Sequence, residues 1–497
     1  MPGRSVTFSA ATLLLAVPMA IGAAAAASAA PITVTSWSDL TTAAATGGAT
    51  ITLGGDILAA DSAGGSLPFG PGVSSLDLNG HTLEITSPPG SAAAVGVPTG
   101  VSLTILDSVG GGALTATSDS IGGAAIGGPS FGNRDAGTVR IEGGTVTATS
   151  GLSAAIGGGS GTGATAGSGG TLIVTGGTVT ATSQNGAGIG GGLGNGAAGG
   201  AGGTLTVTGG TVTATSAVGA GIGGGSGNGA AGGAGGSVNV SGGTVTASTS
   251  GSGAGIGGGS GNGAVGGDGG TVVISGGTVT ARSTYNAGVG GGFGNGSTGG
   301  QGAAVTLTGG RLTATGATGV GGGGGANVGS PGLFDVHATA APGAATDGNG
   351  PTAAAITSSV TPAGLVYRAV ASAVGSAFRI EVSFAYLVTF DSTGGSVVAP
   401  QIVDPGSLAS RPSDPTRAGA VFAGWTAGEV AYDFSTPATA PLTLTANWTT
   451  TTPATAELPA TGPGDTATGI LLGMLLLSAG VVARATLGRS RRIRSSR

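Results

Sequence analysis

The hexapeptide Gly-Gly-Thr-Val-Thr-Ala recurs with little change through the middle of the chain at an almost constant interval. Successive glycine pairs are 33, 33, 33, 34 and 33 residues apart, and a weaker copy begins at Gly111. A fixed period of this length indicates stacked repeats, because no single unit can bury a core without its neighbours. The glycine pairs occupy positions 143–144, 176–177, 209–210, 242–243, 276–277 and 309–310.

Each unit carries two short segments in which apolar residues alternate with hydroxyl-bearing residues. In the unit that begins at Gly203, the apolar positions are Leu205, Val207, Val212 and Ala214. Alternation of this kind predicts strands with one buried face, so these four side chains are expected to point inward and the threonines outward.

A third short strand is expected at Ile222, and the glycines between strands permit tight corners. The array therefore predicts an all-β parallel solenoid over about residues 111–328, in which each coil adds about 4.8 Å of length. A disordered glycine-rich stalk is the alternative, but a solvated linker has no need of periodic apolar residues. For the stretch Gly223–Gly235 and its equivalents, mobile loops are the alternative.

Two segments upstream of the array read ATITLGGDI at 49–57 and LDLNGHTL at 76–83. They resemble the opening coils of right-handed β-helix proteins of the pectin-lyase-like class. The repeat units themselves resemble those of bacterial surface proteins that are sometimes described as carbohydrate-binding. The resemblance implies a right-handed parallel β-helix over residues 31–335.

Pectin-lyase-like folds often carry polysaccharide lyases and hydrolases, which use an arginine or lysine base with calcium-binding aspartates, or paired carboxylates. The array is poor in such residues: 143–262 contains no charged residue and no histidine, and Asp268 and Arg282 are the only charges up to Gly310. The remaining polar candidates are Asp77, Asn79, His81, Glu84, Asp107, Asp119, Arg134, Asp135, Arg140 and Glu142.

The Asn79-Gly80 pair favours a turn, and a turn there shifts the strand register between Asp77 and His81. We therefore predict that these residues build a turn and do not form a catalytic group. His337, beyond the array, is predicted to be a surface or capping residue. The sequence predicts no enzyme, no catalytic residue, no metal site and no cofactor.

Five threonine pairs are expected to stack into two parallel ranks on the outside of the solenoid. This arrangement resembles the Thr-x-Thr faces of ice-binding solenoids. The simpler interpretation, which we favour, is the ordinary preference of threonine for solvent-facing strand positions. The pairs are Thr145 and Thr147, Thr178 and Thr180, Thr211 and Thr213, Thr244 and Thr246, and Thr278 and Thr280.

The amino-acid composition excludes several classes of function. The chain has no cysteine and therefore no disulfide framework or thiolate metal site. It also has no lysine, which excludes lysine-based isopeptide bonds and a pilus-shaft role. Residues 31–461 contain 8 arginines against 19 acidic residues, so nucleic acid is not an expected partner.

The segment 386–449 contains VTFDSTGG at 388–395, PSDPTR at 412–417, FAGW at 422–425, YDF at 432–434 and LTLTANW at 442–448. With these motifs it resembles the Listeria–Bacteroides repeat, also called the internalin B-repeat. The resemblance implies a small β-grasp-like module of the kind found in bacterial surface proteins. Ala420 departs from the pattern, since an aromatic residue usually follows Gly419, and a looser local core is expected there.

The large aromatic side chains of this module are expected to form its core and not a ligand platform. They are Phe390, Phe422, Trp425, Phe434 and Trp448. Composition predicts a linker at 336–364, a short β segment with two strands at 365–385, and a Thr/Pro wall spacer at 450–457.

The chain ends with LPATG at 458–462, an apolar run at about 467–483 and an arginine-rich tail. This order resembles the sorting signal of the LPxTG family of Gram-positive cell-wall proteins. The resemblance implies that a sortase thiolate attacks the Thr461 carbonyl and that Thr461 is then joined to peptidoglycan. The sortase recognition residues would be Leu458, Pro459, Ala460, Thr461 and Gly462.

The apolar run predicts a membrane helix near the lower length limit, held by cytoplasmic arginines. A plain anchor helix is one alternative; a glycolipid-anchor signal is another, but it would end in its hydrophobic tail. At the other end, Arg4, the apolar stretch 10–27 and the small residues at 27–29 predict a signal peptide over residues 1–30. The mature protein is therefore expected outside the cell, covalently attached to the wall, after a transient stay in the plasma membrane.

Taken together, the sequence predicts a non-catalytic, sortase-anchored surface protein with an adhesin-like binding or stalk role. Its expected partners are sortase, peptidoglycan and an extracellular polysaccharide or host surface ligand. One alternative is a polysaccharide lyase or hydrolase with its site in the N-terminal coils. Another is a purely structural surface coat.

Overall fold

The computed structural model describes residues 30–451, except 60–64, 89, 91, 119–121, 133, 342–343 and 359–362. The described residues up to Thr449 belong to one compact unit, which is almost entirely β-structure. The predicted sorting signal and all but the last residue of the predicted signal peptide lie outside the described residues. Within the described ranges, no helix is long and apolar enough to span a membrane.

Three parallel sheets form the walls of a β-solenoid, as the repeat pattern predicts, and successive coils add one strand to each. In the described residues, sheet 1 contains Ile32–Val34, Thr50–Leu53, Gly72–Asp77, Val101–Leu106, Thr138–Ile141, Thr171–Val174, Thr204–Val207, Ser237–Val240, Thr271–Ile274, Ala304–Leu307, Leu333–Val336 and Ile356–Thr357.

Sheets 2 and 3 follow sheet 1 around each coil. The solenoid part of sheet 2 contains Ile57–Leu58, Thr82–Thr86, Ala113–Ser118, Thr145–Ser150, Thr178–Ser183, Thr211–Ser216, Thr244–Thr249, Thr278–Ser283 and Arg311–Gly316. Sheet 3 contains Leu67–Pro68, Val95–Gly96, Ile126–Gly127, Ile156–Gly157, Ile189–Gly190, Ile222–Gly223, Ile256–Gly257, Ala287–Gly290 and Thr318–Gly321.

The core is a set of apolar ladders that run along the solenoid axis. Val212 pairs in parallel with Val179 of one neighbouring coil and Val245 of the other, and none of the three is exposed. The predicted inward positions are confirmed: Leu205 and Ile222 are each 2% exposed. Each such side chain contributes about 1.5–3 kcal/mol through burial, but only when both neighbouring coils are in place.

The glycine-rich stretches form a second, backbone-only layer beside sheet 3. The chain leaves sheet 3 along one glycine segment and returns along another. The amide of Gly233 donates to the carbonyl of Gly225 at 2.9 Å, and that of Gly225 donates to Gly200 in the preceding coil at 2.9 Å. A Cβ added at Gly224 would lie 1.8 Å from the Gly233 carbonyl oxygen, so only glycine fits there.

The turns between these glycine segments stack into sheet 4, which makes the stretches hydrogen-bonded layers and not loose loops. The same bonds repeat from coil to coil, for example from the Gly259 amide to the Gly233 carbonyl at 2.9 Å. Among the described residues, sheet 4 contains Gly161–Thr162, Gly194–Asn195, Gly227–Asn228, Gly261–Asn262, Gly294–Thr298 and Gly325–Asn327.

A helix at Trp37–Thr46 covers the N-terminal end of the solenoid. Ser36 begins it, since its hydroxyl accepts the Asp39 amide at 3.2 Å and donates to the Asp39 carboxylate at 2.7 Å. Leu40, one of three buried helix residues, is fully enclosed. The helix thus shields an apolar end that no further coil protects.

The C-terminal end is closed by the segment that composition assigned to a linker. The strand Ile356–Thr357 pairs with Phe334–Asp335, and Thr339–Ala340 pairs with Val366–Tyr367. Ala354 is fully buried. The linker prediction for 336–364 is therefore wrong in the described part. Its small residues are typical of a linker in sequence, but here they pack on the C-terminal end of the solenoid and shield apolar side chains that no further coil covers.

The two strands predicted at 365–385 form an antiparallel hairpin that extends sheet 2. They are Leu365–Val374 and Ala377–Asp391, and the second pairs antiparallel with Arg311–Gly316 of the last coil. Ala377–Asp391 continues without a break into the predicted module, so the boundary at 385 falls inside a strand. Solenoid and module therefore share one continuous sheet.

The module is a mixed sheet around its own aromatic core. Phe422 makes edge contacts with Trp425 and Trp448, at ring-centroid distances of 5.3 and 5.6 Å, and Phe390 contacts Trp425 at 5.1 Å. Ala420, half-buried, begins a strand directly after the turn at Gly419. Its remaining described strands are Gln401–Val403, Ala420–Ala427, Val430–Ala431 and Leu442–Thr450.

Candidate functional site

The outer face of sheet 2 carries in-register ranks of hydroxyl side chains. Five consecutive coils pair residue for residue without a bulge, so Thr180 lies beside Thr147 and Thr213. The structure therefore confirms the predicted stacking and adds a third rank. We call the following set the threonine face: Thr145, Thr147, Thr149, Thr178, Thr180, Thr182, Thr211, Thr213, Thr215, Thr244, Thr246, Ser248, Thr278 and Thr280.

The threonine face is an uncharged lattice of hydrogen-bonding groups. Neighbouring coils are about 4.8 Å apart, and alternate residues along a strand about 6.6 Å apart. The first rank, including Thr178, is exposed, and the central rank, including Thr180, is half-buried. Each threonine presents one hydroxyl that both donates and accepts, beside one methyl group. Such a surface suits a long, uncharged ligand with its own regularly spaced hydroxyl groups.

A ladder of asparagine side chains runs along sheet 4. Asn228 donates to Asn195 at 3.0 Å, Asn262 to Asn228 at 3.1 Å, and Asn295 to Asn262 at 3.0 Å. All four side chains are exposed. The asparagine amide groups thus bond to one another between neighbouring coils, and the ladder is a structural feature of the glycine layers.

The N-terminal polar cluster forms turns, as predicted. Asn79 and Gly80 adopt positive φ of 49° and 78°. The Asp77 carboxylate accepts the amides of Asn79 and Ser108, both at 2.9 Å, and the His81 imidazole lies 3.5 Å from Asp56. Asp77 and His81 therefore face different partners, and the carboxylate is committed to backbone amides.

Asp107 has the same structural role one coil later. Its carboxylate accepts the amides of Gly80 at 2.8 Å, Gly110 at 3.2 Å and Gly112 at 2.7 Å. Burial raises the pKa of Asp107, but the three amide hydrogen bonds outweigh it and hold that pKa below its usual value. A carboxylate held in its charged form by three donors is suited to fixing a corner and unsuited to proton transfer.

The other predicted candidates are dispersed. Arg140 pairs with Glu142 on the outside of sheet 1, and the Arg134 guanidinium donates to the Ser130 carbonyl at 2.7 Å. Asp135 accepts the Ser168 amide at 2.7 Å. Glu84 lies on the outer face of sheet 2, beside Thr115, and Asp119 is outside the described residues. Across the described ranges, no three His, Cys, Asp or Glu residues are grouped closely enough to hold a metal ion.

Two candidates lie in or beyond the array. The Asp268 carboxylate accepts the Gln301 amide at 2.8 Å, which links adjacent coils. It borders a shallow cavity of about 480 Å³ whose wall also includes Gly267, Val265 and Gln301. His337 lies 3.1 Å from Asp335, directly after the strand Leu333–Val336.

A cationic groove lies where the threonine face meets the hairpin. It encloses about 450 Å³ and is lined by Arg282, Arg311 and Arg379 together with threonines and Val374. We call it the arginine groove. The repeat pattern does not indicate this groove, because Arg311 and Arg379 are 68 residues apart and only the antiparallel pairing of the hairpin brings them together.

The predicted sortase site lies outside the described residues, so the structure gives no geometry for Leu458–Gly462 or for Thr461.

Comparison with known protein families gives two matches. The beta helix repeat family matches residues 139–160, 172–193, 205–226, 238–260 and 272–293. The Listeria-Bacteroides repeat domain matches residues 386–447. No curated protein and no solved structure matches the chain. The chain thus contains beta helix repeats followed by a Listeria-Bacteroides repeat domain, and this combination suggests a surface or extracellular protein.

Proposed function

We propose that the protein is a sortase-anchored, non-catalytic surface protein whose solenoid binds extracellular polysaccharide through the threonine face. The observation that carries this proposal is the in-register, uncharged lattice of hydroxyl groups over five coils. The beta helix and Listeria-Bacteroides repeats support it, because they suggest a surface or extracellular protein.

The chemistry of the threonine face favours weak, repeated contacts. A sugar hydroxyl can donate to one threonine and accept from another, and the threonine methyl groups can pack on the C–H side of a sugar ring. The face contains no aromatic residue on which a sugar could stack. Affinity must therefore come from many equivalent contacts along one polymer, which raises the effective concentration of each successive contact.

A non-catalytic role agrees with the use of the N-terminal carboxylates. Asp77 and Asp107 each accept two or more backbone amides, so their oxygens hold corners of the solenoid. A hydrolase needs two carboxyl groups directed at one bond, one of them able to give up a proton. The low pKa of Asp107 is the opposite of what a general acid needs.

Polysaccharide binding is tested by retention of the compact unit ending at Thr449 on a panel of immobilised neutral polysaccharides. The test variant replaces Thr180, Thr213 and Thr246 with valine, which removes three adjacent hydroxyls and keeps side-chain volume and strand preference. The matched control replaces Thr138, Thr171 and Thr204, a ladder of half-buried threonines on sheet 1.

We expect saturable retention on at least one polymer, weakened by the sheet 2 variant and unchanged in the control. Equal loss in both variants would refute binding by the threonine face. No retention on any polymer would favour the structural-coat alternative. Release of unsaturated or reducing ends from a polymer would instead favour a lyase or hydrolase.

Wall anchoring is tested separately with the full chain in a sortase-bearing Gram-positive host. We expect the protein in the wall fraction, with Thr461 as its last residue in an amide to the wall peptide. Thr461→Ala, or loss of the host sortase, should move the protein to the membrane and medium. Wall attachment that survives both changes would refute the proposal.

A further inference from the structure

The three groove arginines lie on one grid of paired strands. Arg282 is opposite Thr315 in the last coil, and Thr315 is opposite Arg379 in the antiparallel hairpin strand. Paired residues on neighbouring strands point to the same face and lie about 5 Å apart. Two guanidinium groups therefore stand on either side of one buried threonine, at the outer surface of sheet 2.

Glu381 organises two of these arginines without neutralising the site. Its carboxylate pairs with both Arg311 and Arg379, and Glu381 lies opposite Thr313, two residues along the strand from the row that contains Thr315. Arg282 is exposed, and its guanidinium has no hydrogen-bond or ion-pair partner within the described part of the chain. Three positive charges and one negative charge leave the groove with a local excess of two positive charges.

This excess is concentrated in an otherwise acidic chain. Residues 31–461 contain 8 arginines and 19 acidic residues, and three of those arginines meet in this groove. Arg282 is also the only cationic residue between Gly143 and Gly310. Charge is thus nearly absent along the threonine face and appears, with one sign in excess, at its C-terminal end.

The size and shape of the groove restrict the ligand. A volume of about 450 Å³ is within the range of sites for small molecules, about 300–1,000 Å³. Thr280 and Thr313 are part of the wall, so the groove is continuous with the central rank of the threonine face. A ligand unit held in the groove can therefore belong to a longer polymer that continues along the face.

We propose that the arginine groove binds an oxyanion carried by one sugar unit of an acidic polysaccharide. The planar guanidinium fork of Arg282 would donate two parallel hydrogen bonds to a carboxylate or sulfate ester, with Arg379 on the other side of the same group. The charged unit would fix the position of the polymer, and the neutral threonine face would take the units that follow. This inference rests on the proposed polysaccharide-binding role of that face.

The test measures the dissociation constants of three soluble polymers for the compact unit ending at Thr449. Polygalacturonate supplies carboxylates, dextran sulfate supplies sulfate esters, and unmodified dextran supplies neither. The test variants are Arg282→Gln, Arg379→Gln and the double variant. The control variant, Arg140→Gln with Arg411→Gln, removes two arginines that pair with Glu142 and Asp414 away from the groove.

We expect at least one acidic polymer to bind more tightly than dextran, with an affinity that falls as salt is added. The double groove variant should weaken that binding by about tenfold or more, as expected for loss of charge-assisted hydrogen bonds. The control variant should bind as the parent does. Whether polygalacturonate or dextran sulfate is preferred identifies the source of the oxyanion.

Equal weakening by the control and groove variants would overturn the proposal, because it would indicate general attraction of polyanions. Acidic polymers that bind no better than dextran would overturn it as well. The threonine-face variant separates the two proposals: neutral polymer binding that depends on Thr180, Thr213 and Thr246, without a preference for acidic polymers, would refute the groove alone. A urea unfolding curve for each variant verifies that the fold is intact.

Discussion

The glycine layers make Gly225→Ala a sharp test of the fold. A Cβ at this position would lie 2.0 Å from the carbonyl oxygen of Gly192 and 2.6 Å from that of Gly191. The optimal separation of non-bonded heavy atoms is about 3.5 Å, so the backbone of the adjoining coil would have to move away by more than about 1 Å. The obstructing atoms are backbone, which cannot turn aside as a flexible side chain can.

This displacement would disturb the hydrogen bonds that Gly225 makes through its amide and its carbonyl group. Gly225 donates to Gly200 and accepts from Gly233, each at 2.9 Å. Overpacking costs about 1–3 kcal/mol and the two hydrogen bonds about 1 kcal/mol each. Alanine has fewer conformations than glycine in the unfolded chain, which offsets about 0.4–1 kcal/mol of this loss of stability. We therefore expect Gly225→Ala to lower the free energy of unfolding by about 2–4 kcal/mol.

The control is Gly229→Asn, four residues away in the same coil. Nothing lies within 4 Å of a Cβ built at Gly229, and its φ is +75°, a region that asparagine tolerates. We expect a loss of less than about 1 kcal/mol at this position. Urea unfolding gives the two free energies, and amide hydrogen exchange over residues 191–235 shows whether opening is local to the coil. A Gly225→Ala protein within about 0.5 kcal/mol of the parent would refute the reasoning.

Three further outcomes follow from other contacts. Asp107→Ala removes the acceptor of three backbone amides and should lower the free energy of unfolding by about 1–3 kcal/mol at neutral pH. Because the pKa of Asp107 is lowered in the folded state, its contribution to stability is present above the unfolded pKa and is lost as pH falls through the folded pKa. The urea unfolding curves of parent and variant should therefore converge in acid, and a difference that stays constant with pH would contradict this. Ile380→Ala, at a fully buried position in the shared strand, should cost about 2–5 kcal/mol and increase exchange in both Arg311–Gly316 and the hairpin, whereas Val374→Ala, exposed in the same hairpin, should change little. Asn262→Ala breaks two exposed amide hydrogen bonds and should cost no more than about 1 kcal/mol in a urea titration, so a larger loss would give the ladder a greater structural weight than its exposure indicates.

The array could be predicted from sequence because its period and its alternation give the same answer. A repeat of 33 residues keeps each position beside its equivalent, and alternation then assigns Leu205 and Val212 to the core. The turn at Asn79-Gly80 was also accessible, since the residue pair has a strong conformational preference.

What was missed depends on contacts between distant segments or between backbones. The helix at Trp37–Thr46 had a local signal, Ser36 followed three residues later by Asp39, but its short apolar stripe is weak beside the repeats. The capping role of Ala354 follows from an exposed core end and not from its own neighbours in sequence. The glycine layers contain almost no side chains, so no pattern of hydrophobicity could report their pairing.

The arginine groove shows the same limit at a candidate site. Arg282 and Arg311 come from successive coils, whose register follows from the repeat period, but Arg379 joins them only through an antiparallel hairpin. Parallel stacking is what the repeat predicts, and nothing in it indicates where the chain reverses. The arginine groove at the end of the threonine face is therefore a product of the termination of the solenoid.

The uninterrupted strand Ala377–Asp391 also determines how the chain carries tension. The solenoid enters the module at the N-terminal end of this strand, and the chain leaves through Leu442–Thr450, which pairs with it in parallel. Pulling on the solenoid and on the C terminus would slide these two parallel strands along each other, which loads their hydrogen bonds simultaneously in shear instead of opening them one at a time. The Trp448 indole adds two side-chain hydrogen bonds between these segments. It donates to the Ser392 carbonyl at 3.0 Å and to the Thr393 hydroxyl at 2.8 Å. In a protein tethered at its C-terminal end and held along its solenoid, the force of flow would therefore pass through this sheared pair of parallel strands.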